Sequence, residues 1–175
     1  MKIYSRGYTI FFATLVASLA LAIGLAIYDL TVRTLSLSGV TAQSQYAIYA
    51  ADTGAECALY WDSKYPGGSG SMFATSSGSS AAGLATHCNG VDIRTATPPT
   101  NFAVVSGAGY ATTTFFMQFP SQTYNSASIA PCAKVEVGKY LRDDRTFTVI
   151  LSHGYNNGCG TSGANRVERI LRVYY

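Results

Sequence analysis

Charged residues are scarce in this chain, making up 12% of its 175 residues, which is about half the share found in an ordinary soluble domain. This scarcity argues against a disordered, highly charged protein. The length suits one domain and argues against a two-domain enzyme. The formal net charge is only +3, and Lys2 and Arg6 contribute +2 of it. So small a charge gives little long-range attraction to nucleic acid.

Histidine is also rare, with two in the chain, and neither stands in a pattern typical of a metal or catalytic site. His87 is next to Cys88, and His153 is six residues before Cys159, but there is no Cys-x-x-Cys spacing. A Gly-x-Ser-x-Gly nucleophile elbow is absent too. We therefore predict that the chain is not an enzyme, binds no metal and needs no cofactor.

The longest stretch without charge runs from Tyr8 to Tyr28 and reads YTIFFATLVASLALAIGLAIY. A helix of these 21 residues spans about 31 Å, close to the thickness of the hydrocarbon core of a bilayer. The basic residues before it favour a cytoplasmic N-terminus and place the chain beyond about Asp29 outside the membrane. A cleaved secretory signal usually has a shorter apolar region, of about 7 to 15 residues, so we favour a membrane anchor or a filament helix.

The sequence after Asp29 turns amphipathic and contains no proline before Pro66. Gly39 and Gly54 each weaken a helix by about 1 kcal/mol relative to alanine without forbidding it. We predict one continuous helix from Tyr8 to about Asp62, with an apolar stripe in its second half. A sheet formed by the later part of the chain is expected to cover Leu59, Tyr60 and Trp61. The members expected in the stripe are Leu30, Leu35, Leu37, Val40, Tyr46, Tyr49, Ala50, Leu59 and Tyr60.

A basic leader ending in glycine, MKIYSRG, precedes an aromatic residue, about twenty apolar residues and an amphipathic continuation. This arrangement resembles the N-terminus of a type IV pilin or pseudopilin, and QYAIYAADTGAECALYWD, residues 45–62, resembles the segment that follows it in minor pilins. The resemblance implies that a prepilin peptidase cuts between Gly7 and Tyr8 and that the new N-terminus is methylated. It also implies storage in membrane lipid, followed by assembly with other pilin subunits and the pilus machinery. The helix positions involved are Phe11, Phe12, Leu15, Leu19 and Gly24.

One position departs from the family pattern. Major pilins carry glutamate four residues after the cut, where it is thought to pair with the N-terminal amine of a neighbouring subunit, and this chain has Phe12. Among pseudopilins, a subunit without that glutamate is typical of the filament tip. We therefore expect a minor or tip subunit. Small residues such as Ala13, Ala17 and Gly24, placed among leucines and isoleucines, suit close helix packing.

Beyond residue 62 the composition changes to a Gly/Ser-rich loop, KYPGGSGSMFATSSGSSAAG, followed by runs rich in Val, Thr, Phe and Tyr. Five of these runs predict strands, and RDDR at 142–145 predicts a hairpin turn. The expected fold class is α+β, with a long N-terminal helix packed on a small antiparallel sheet. The predicted divisions are a leader at 1–7, a membrane and filament helix at 8–28, an amphipathic helix at 29–62 and an extracytoplasmic head at 63–175.

Four cysteines lie in the part of the chain predicted to be outside the membrane, and their even number suggests two disulfides. Three pairings exist, and we favour Cys57 with Cys88 and Cys132 with Cys159. The second pairing follows if the strand TFTVILS returns along AKVEVGKYL, which brings the segment after Ser152 near Cys132. Each disulfide would raise the free energy of unfolding by roughly 3 to 4 kcal/mol, because it lowers the conformational entropy of the unfolded chain.

The C-terminal part, from Lys134 onward, holds seven basic and four acidic residues. Arg166, Arg169 and Arg172 suggest a weak nucleic-acid or surface-binding face, to which exposed tyrosines would add stacking. The alternative is that Arg166, Glu168 and Arg172 form the solvated side of the last strand.

The sequence as a whole predicts a structural subunit of a type IV pilus or a related secretion or uptake filament, held in the cell membrane by one span and displayed on the cell surface after assembly. The alternative is a single-pass anchored protein that binds or adheres outside the cell and never polymerises.

Overall fold

The computed structural model describes residues 7–64, 71–75, 86–94, 103–124, 127–143, 145–163 and 165–175. The predicted leader lies outside these residues except for Gly7, and so does most of the Gly/Ser-rich loop. The chain divides into two compact units, Met1–Thr41 and Ala42–Tyr175, which are described separately below.

The described residues form one long helix and an antiparallel sheet, which confirms the predicted α+β class. Helix α1 covers Gly7–Ser63, close to the predicted limits of Tyr8 and Asp62. The strands are β1 His87–Cys88, β2 Val91–Asp92, β3 Ala103–Gly107, β4 Tyr110–Gln118, β5 Gln122–Tyr124, β6 Ala127–Ile129, β7 Cys132–Arg142, β8 Arg145–Tyr155 and β9 Glu168–Tyr174.

The main sheet has five antiparallel strands in the order β3-β4-β7-β8-β9, and β1-β2 and β5-β6 form two small hairpins. Strands β7 and β8 meet at the predicted RDDR turn, where Arg142 pairs with Arg145. Asp143 has a φ of 52°, a conformation that aspartate tolerates better than most residues in tight turns. The turn prediction is therefore confirmed.

One face of the sheet packs on the part of α1 that belongs to the second unit. Alternate residues of β7 and β8, including Val135, Val137 and Ile150, are buried on this face. Phe115 of β4 stacks on Phe73 with ring centroids 5.9 Å apart. Met72 and Ile93, from the segments at 71–75 and 86–94, complete the same core.

The helix presents small residues to this core instead of the large apolar stripe expected from the sequence. The buried side chains of α1 are mostly alanines: Ala47, Ala50, Ala51, Ala55 and Ala58. Tyr60 is 57% exposed, so the expectation that one face of the sheet covers it is wrong, and Tyr49 of the expected stripe is 67% exposed. Leu59 and Trp61 do pack against the core.

Glycines allow the closest approach between helix and sheet. A Cβ built on Gly154 of β8 would lie 2.0 Å from the Ala47 carbonyl oxygen and 2.4 Å from the Ala51 nitrogen. A Cβ on Gly54 of α1 would lie 2.6 Å from the Ser152 hydroxyl oxygen and 2.8 Å from Val135 Cγ2. The two backbones therefore touch where a larger residue cannot fit.

A buried polar cluster holds the end of α1 against the sheet. Lys139 Nζ lies 2.6 Å from Asp62 Oδ1, and both side chains are almost fully buried. The Tyr175 hydroxyl donates to Asp62 Oδ2 at 2.6 Å, and the Ser71 hydroxyl also donates to Asp62. Burial, followed by the hydrogen bond to Asp62 and its charge, raises the pKa of Tyr175. Satisfying a buried carboxylate in this way offsets the cost of its desolvation.

Both disulfides favoured by the sequence are present. The loop disulfide joins Cys57 of α1 to Cys88 of β1, with Cα atoms 6.0 Å apart. The strand disulfide joins Cys132 at the start of β7 to Cys159 after β8, with Cα atoms 5.3 Å apart. Residues 132 and 155 are register partners, so β8 brings the chain back to Cys132 as expected.

Candidate functional site

The first unit presents an apolar helix whose described side chains are all exposed. α1 is long and apolar enough there to cross a membrane, which makes it a candidate membrane span, and none of its most apolar window is buried. The predicted helix positions Phe11, Phe12, Leu15 and Leu19 each expose roughly half of their surface or more. Around Gly24 there is open space within 4 Å of where a Cβ would lie. Such a surface is costly in water and is typical of a helix covered by lipid or protein.

Polar groups inside the apolar segment are satisfied by the helix itself. The Thr14 hydroxyl donates to the Phe11 carbonyl at 2.9 Å, and the Ser18 hydroxyl donates to the Leu15 carbonyl at 2.8 Å. This back-bonding leaves few unpaired polar groups to oppose burial in hydrocarbon. The apolar run is followed by an ion pair between Asp29 and Arg33, one turn apart, at 3.0 Å.

Phe12 lies one helical turn after Tyr8. The two rings stack with centroids 6.4 Å apart. The start of this unit is therefore aromatic on that side and carries no carboxylate within the span from Tyr8 to Tyr28. The residues before Gly7 lie outside the described part, so the predicted peptidase cut between Gly7 and Tyr8 remains a prediction.

The three arginines proposed as one binding face are placed apart in the second unit. Arg172 is on the face of the sheet that points away from the helix, since its register partner Leu151 alternates with the buried Ile150 and Ser152. Arg169 is turned to the helix side, where its Nε donates to the Ser44 hydroxyl oxygen at 2.9 Å. Arg166 precedes β9. Arg169 and Arg172 therefore lie on opposite faces of the sheet, so the three arginines do not share one binding face.

Arg166 instead belongs to a side-chain cluster that the sequence did not reveal. Its guanidinium carbon lies 3.9 Å from the centroid of the Tyr155 ring. The Tyr155 hydroxyl donates to Glu168 Oε1 at 3.1 Å, and His153 Nδ1 contacts the same oxygen at 2.6 Å. The hydrogen bond with His153 lowers the pKa of Glu168, and burial followed by the Glu168 charge raises the pKa of Tyr155. This cluster stabilises the edge formed by β8 and β9.

A second feature missed by the sequence is an open depression of about 300 Å³ on the outer face of the sheet. Gly138 and Tyr140 of β7 both line it, and the Tyr140 ring lies close over this glycine: a Cβ on Gly138 would be 3.0 Å from Tyr140 Cε2. We call it the outer-face depression. Its remaining lining residues are Thr112, Glu136, Val149, Leu151 and Arg172. The only signal in the sequence is the single glycine among bulkier residues in VEVGKY, which does not by itself predict a cavity.

Comparison of the chain with protein-family models, with curated proteins and with solved structures finds no match.

Proposed function

We propose that this chain is a structural subunit, of the minor or tip type, of a type IV pilus or a related secretion or uptake filament. The apolar first half of α1 would hold the subunit in the membrane before assembly and would pack against other pilin subunits afterwards. The observation that carries the proposal is the span from Tyr8 to Tyr28, uncharged and exposed along its whole length.

The apolar half of α1 can pass from the membrane into a filament at little cost in free energy. Both surroundings are apolar, so the hydrophobic term changes little when the helix leaves the membrane. Close packing must then supply the preference for the assembled state. Alanines and Gly24 form shallow grooves between the exposed leucines and isoleucines, and side chains of a neighbouring helix can fit into these grooves.

Phe12 supports a minor or tip position over a place in the bulk of the filament. A carboxylate at this position would be expensive in hydrocarbon unless a neighbour supplied a partner. A subunit with phenylalanine avoids that cost, but it gives up a pairing that would fix its register against the next subunit. The absence of this pairing is also the observation that favours the second candidate, an anchored surface protein that does not polymerise.

The N-terminus of the protein from its native host separates these candidates. The filament proposal expects mass spectrometry to find a mature chain beginning at methylated Tyr8, and it expects that chain in the filament fraction released by shearing the cells. Gly7→Ala is expected to abolish both results, because the peptidase would no longer recognise its cut site.

Gly24→Ala serves as a matched control, since it adds the same methyl group to open space further along the same helix. It should leave processing intact. An intact Met1 on the surface-exposed protein would refute the filament proposal and favour the anchored binding protein. The wild-type protein, with Phe12, should enter the filament without the Phe12→Glu substitution. If the Phe12→Glu variant enters the filament and the wild type does not, the assignment to the tip is wrong.

A further inference from the structure

We propose that the outer-face depression is a binding site for a small neutral carbohydrate. The proposal rests on the arrangement of side chains around Gly138 and not on the filament function, so it holds whether or not the chain polymerises.

Tyr140 gives the site a flat apolar surface, and a second tyrosine, Tyr110, lies beside it on the neighbouring strand. The Tyr140 ring lies over Gly138, and on the neighbouring strand the Tyr110 ring lies over Gly107, where a Cβ would be 2.5 Å from Tyr110 Cε1. Tyr110 and Tyr140 are register partners on β4 and β7. Each ring rests on backbone that lacks a side chain, yet the two tyrosines are 41% and 45% exposed. Rings held in this way offer the C–H face of a sugar an apolar platform with a polar hydroxyl at its edge.

The polar groups of the depression are both donors and acceptors. Glu136 contributes a carboxylate, whose Oε1 contacts Lys134 Nζ at 2.5 Å. Arg172 contributes a guanidinium, and within the described residues no hydrogen bond or ion pair occupies it. Thr112 adds a hydroxyl that can donate or accept. Sugar hydroxyl groups, which also donate and accept, are able to satisfy all three residues at once.

The charge and size of the depression narrow the ligand class. Glu136 and Arg172 carry opposite charges, so the lining as a whole is neutral and lacks the row of cations that a nucleic-acid backbone requires. The volume of about 300 Å³ is at the small end of the range for ligand pockets, which suits one or two sugar rings. The lining residues lie on four hydrogen-bonded strands, so little ordering is needed on binding.

Saturation-transfer NMR on the full chain, held in micelles of dodecylphosphocholine because that detergent has no sugar headgroup, tests the proposal. The probes are methyl glycosides of glucose, galactose, mannose and N-acetylglucosamine, together with maltose, lactose and cellobiose. We expect at least one of them to bind at millimolar concentration or below, with the strongest transfer to the C–H protons of one ring face.

Two substitutions should weaken that binding by about tenfold or more: Tyr140→Ala, which removes the platform, and Arg172→Gln, which removes the charged donor. Tyr140→Phe should keep most of the binding because the ring remains. The matched controls are Arg169→Gln, on the same strand but turned to the helix, and Tyr49→Ala, an exposed tyrosine of α1. Both controls should change the affinity by less than about twofold, within the usual scatter for residues outside a site.

Three results would overturn the proposal. The first is that no probe binds at millimolar concentration. The second is that a probe binds but its affinity is unchanged by Tyr140→Ala and Arg172→Gln in chains whose circular dichroism matches the wild type. The third is that only a single-stranded oligonucleotide binds, with an affinity that falls steeply with salt, which would assign the face to nucleic acid.

Discussion

Replacing Gly154 with alanine is expected to lower the free energy of unfolding of the second unit by about 3 kcal/mol, the upper end of the usual range for overpacked interiors. The added Cβ would lie 2.0 Å from the Ala47 carbonyl oxygen and 2.4 Å from the Ala51 nitrogen, whereas real Cβ atoms essentially never come closer than 3.0 Å. Helix and strand must therefore separate by about 1 Å. Because the opposing atoms are backbone, no side-chain rotation relieves the contact.

Thermal unfolding of the full chain in detergent, followed by the fluorescence of Trp61, the single tryptophan, measures this loss. A change of about 3 kcal/mol corresponds to a fall in Tm of roughly 10 °C for a unit of this size. Gly160→Ala is the matched control, since its Cβ would meet open space and its Tm should stay near that of the wild type. Equal Tm values for the two variants would refute the close backbone contact described above.

Three further predictions concern the polar contacts and the disulfides of the second unit. Asp62→Asn should lower the free energy of unfolding by about 3–5 kcal/mol, because it leaves the Lys139 ammonium buried without a counter-charge. In urea titrations, adding Lys139→Met should recover most of this loss. A double variant as unstable as Asp62→Asn alone would contradict this account. The pKa of Glu168 in the folded protein is below its ordinary value of 4.5, so the stability that its charge contributes is present above pH 4.5 and is lost as the pH falls through the lower folded value. The free energy of unfolding of Glu168→Gln should therefore differ from that of the wild type by up to about 1 kcal/mol at pH 6 and should converge with it in strong acid. A difference that stays constant with pH would count against the contact with His153. Replacing both cysteines of the strand disulfide with alanine should lower the free energy of unfolding, measured by guanidinium titration, by roughly 3–4 kcal/mol relative to the wild type. An unchanged free energy of unfolding would show that this disulfide does not restrict the unfolded chain.

The elements of the fold could be predicted because their signals are local. The continuous helix follows from uninterrupted apolar and amphipathic sequence with no proline before Pro66, and it ends at Ser63 where the Gly/Ser-rich sequence begins. The hairpin between β7 and β8 follows from the polar RDDR run between two β-rich segments. That hairpin in turn brings Cys159 back to Cys132, so the favoured pairing depended on correct strand positions.

The face that α1 buries could not be predicted from hydrophobicity alone. Tyr49 and Tyr60 each carry more apolar surface than alanine, yet both are exposed while Ala51 and Ala58 are fully buried. The reason is distance, because glycines at 54 and 154 draw the backbones so close that only small side chains fit between them. Such proximity depends on residues about a hundred positions apart in the sequence, and a helical periodicity contains no information about it.

The candidate surface sites depended on strand register, which the sequence does not specify. Arg169 and Arg172 are three residues apart on β9, and this odd spacing sends them to opposite faces of the sheet. The prediction of a shared arginine face overlooked that alternation. Likewise, the pairing of Tyr110 with Tyr140 arises only once β4 and β7 are aligned.

The alanine face of α1 has a consequence for entropy. A buried leucine or methionine gives up rotamer freedom worth about 0.5–2 kcal/mol when it is fixed, whereas alanine and glycine give up none. The buried alanines between Ala47 and Ala58 therefore contact the sheet without any loss of side-chain rotamer entropy. Where Gly154 meets Ala47 and Ala51 the contact is between backbone atoms, so no change of rotamer is available there to absorb a displacement of the helix.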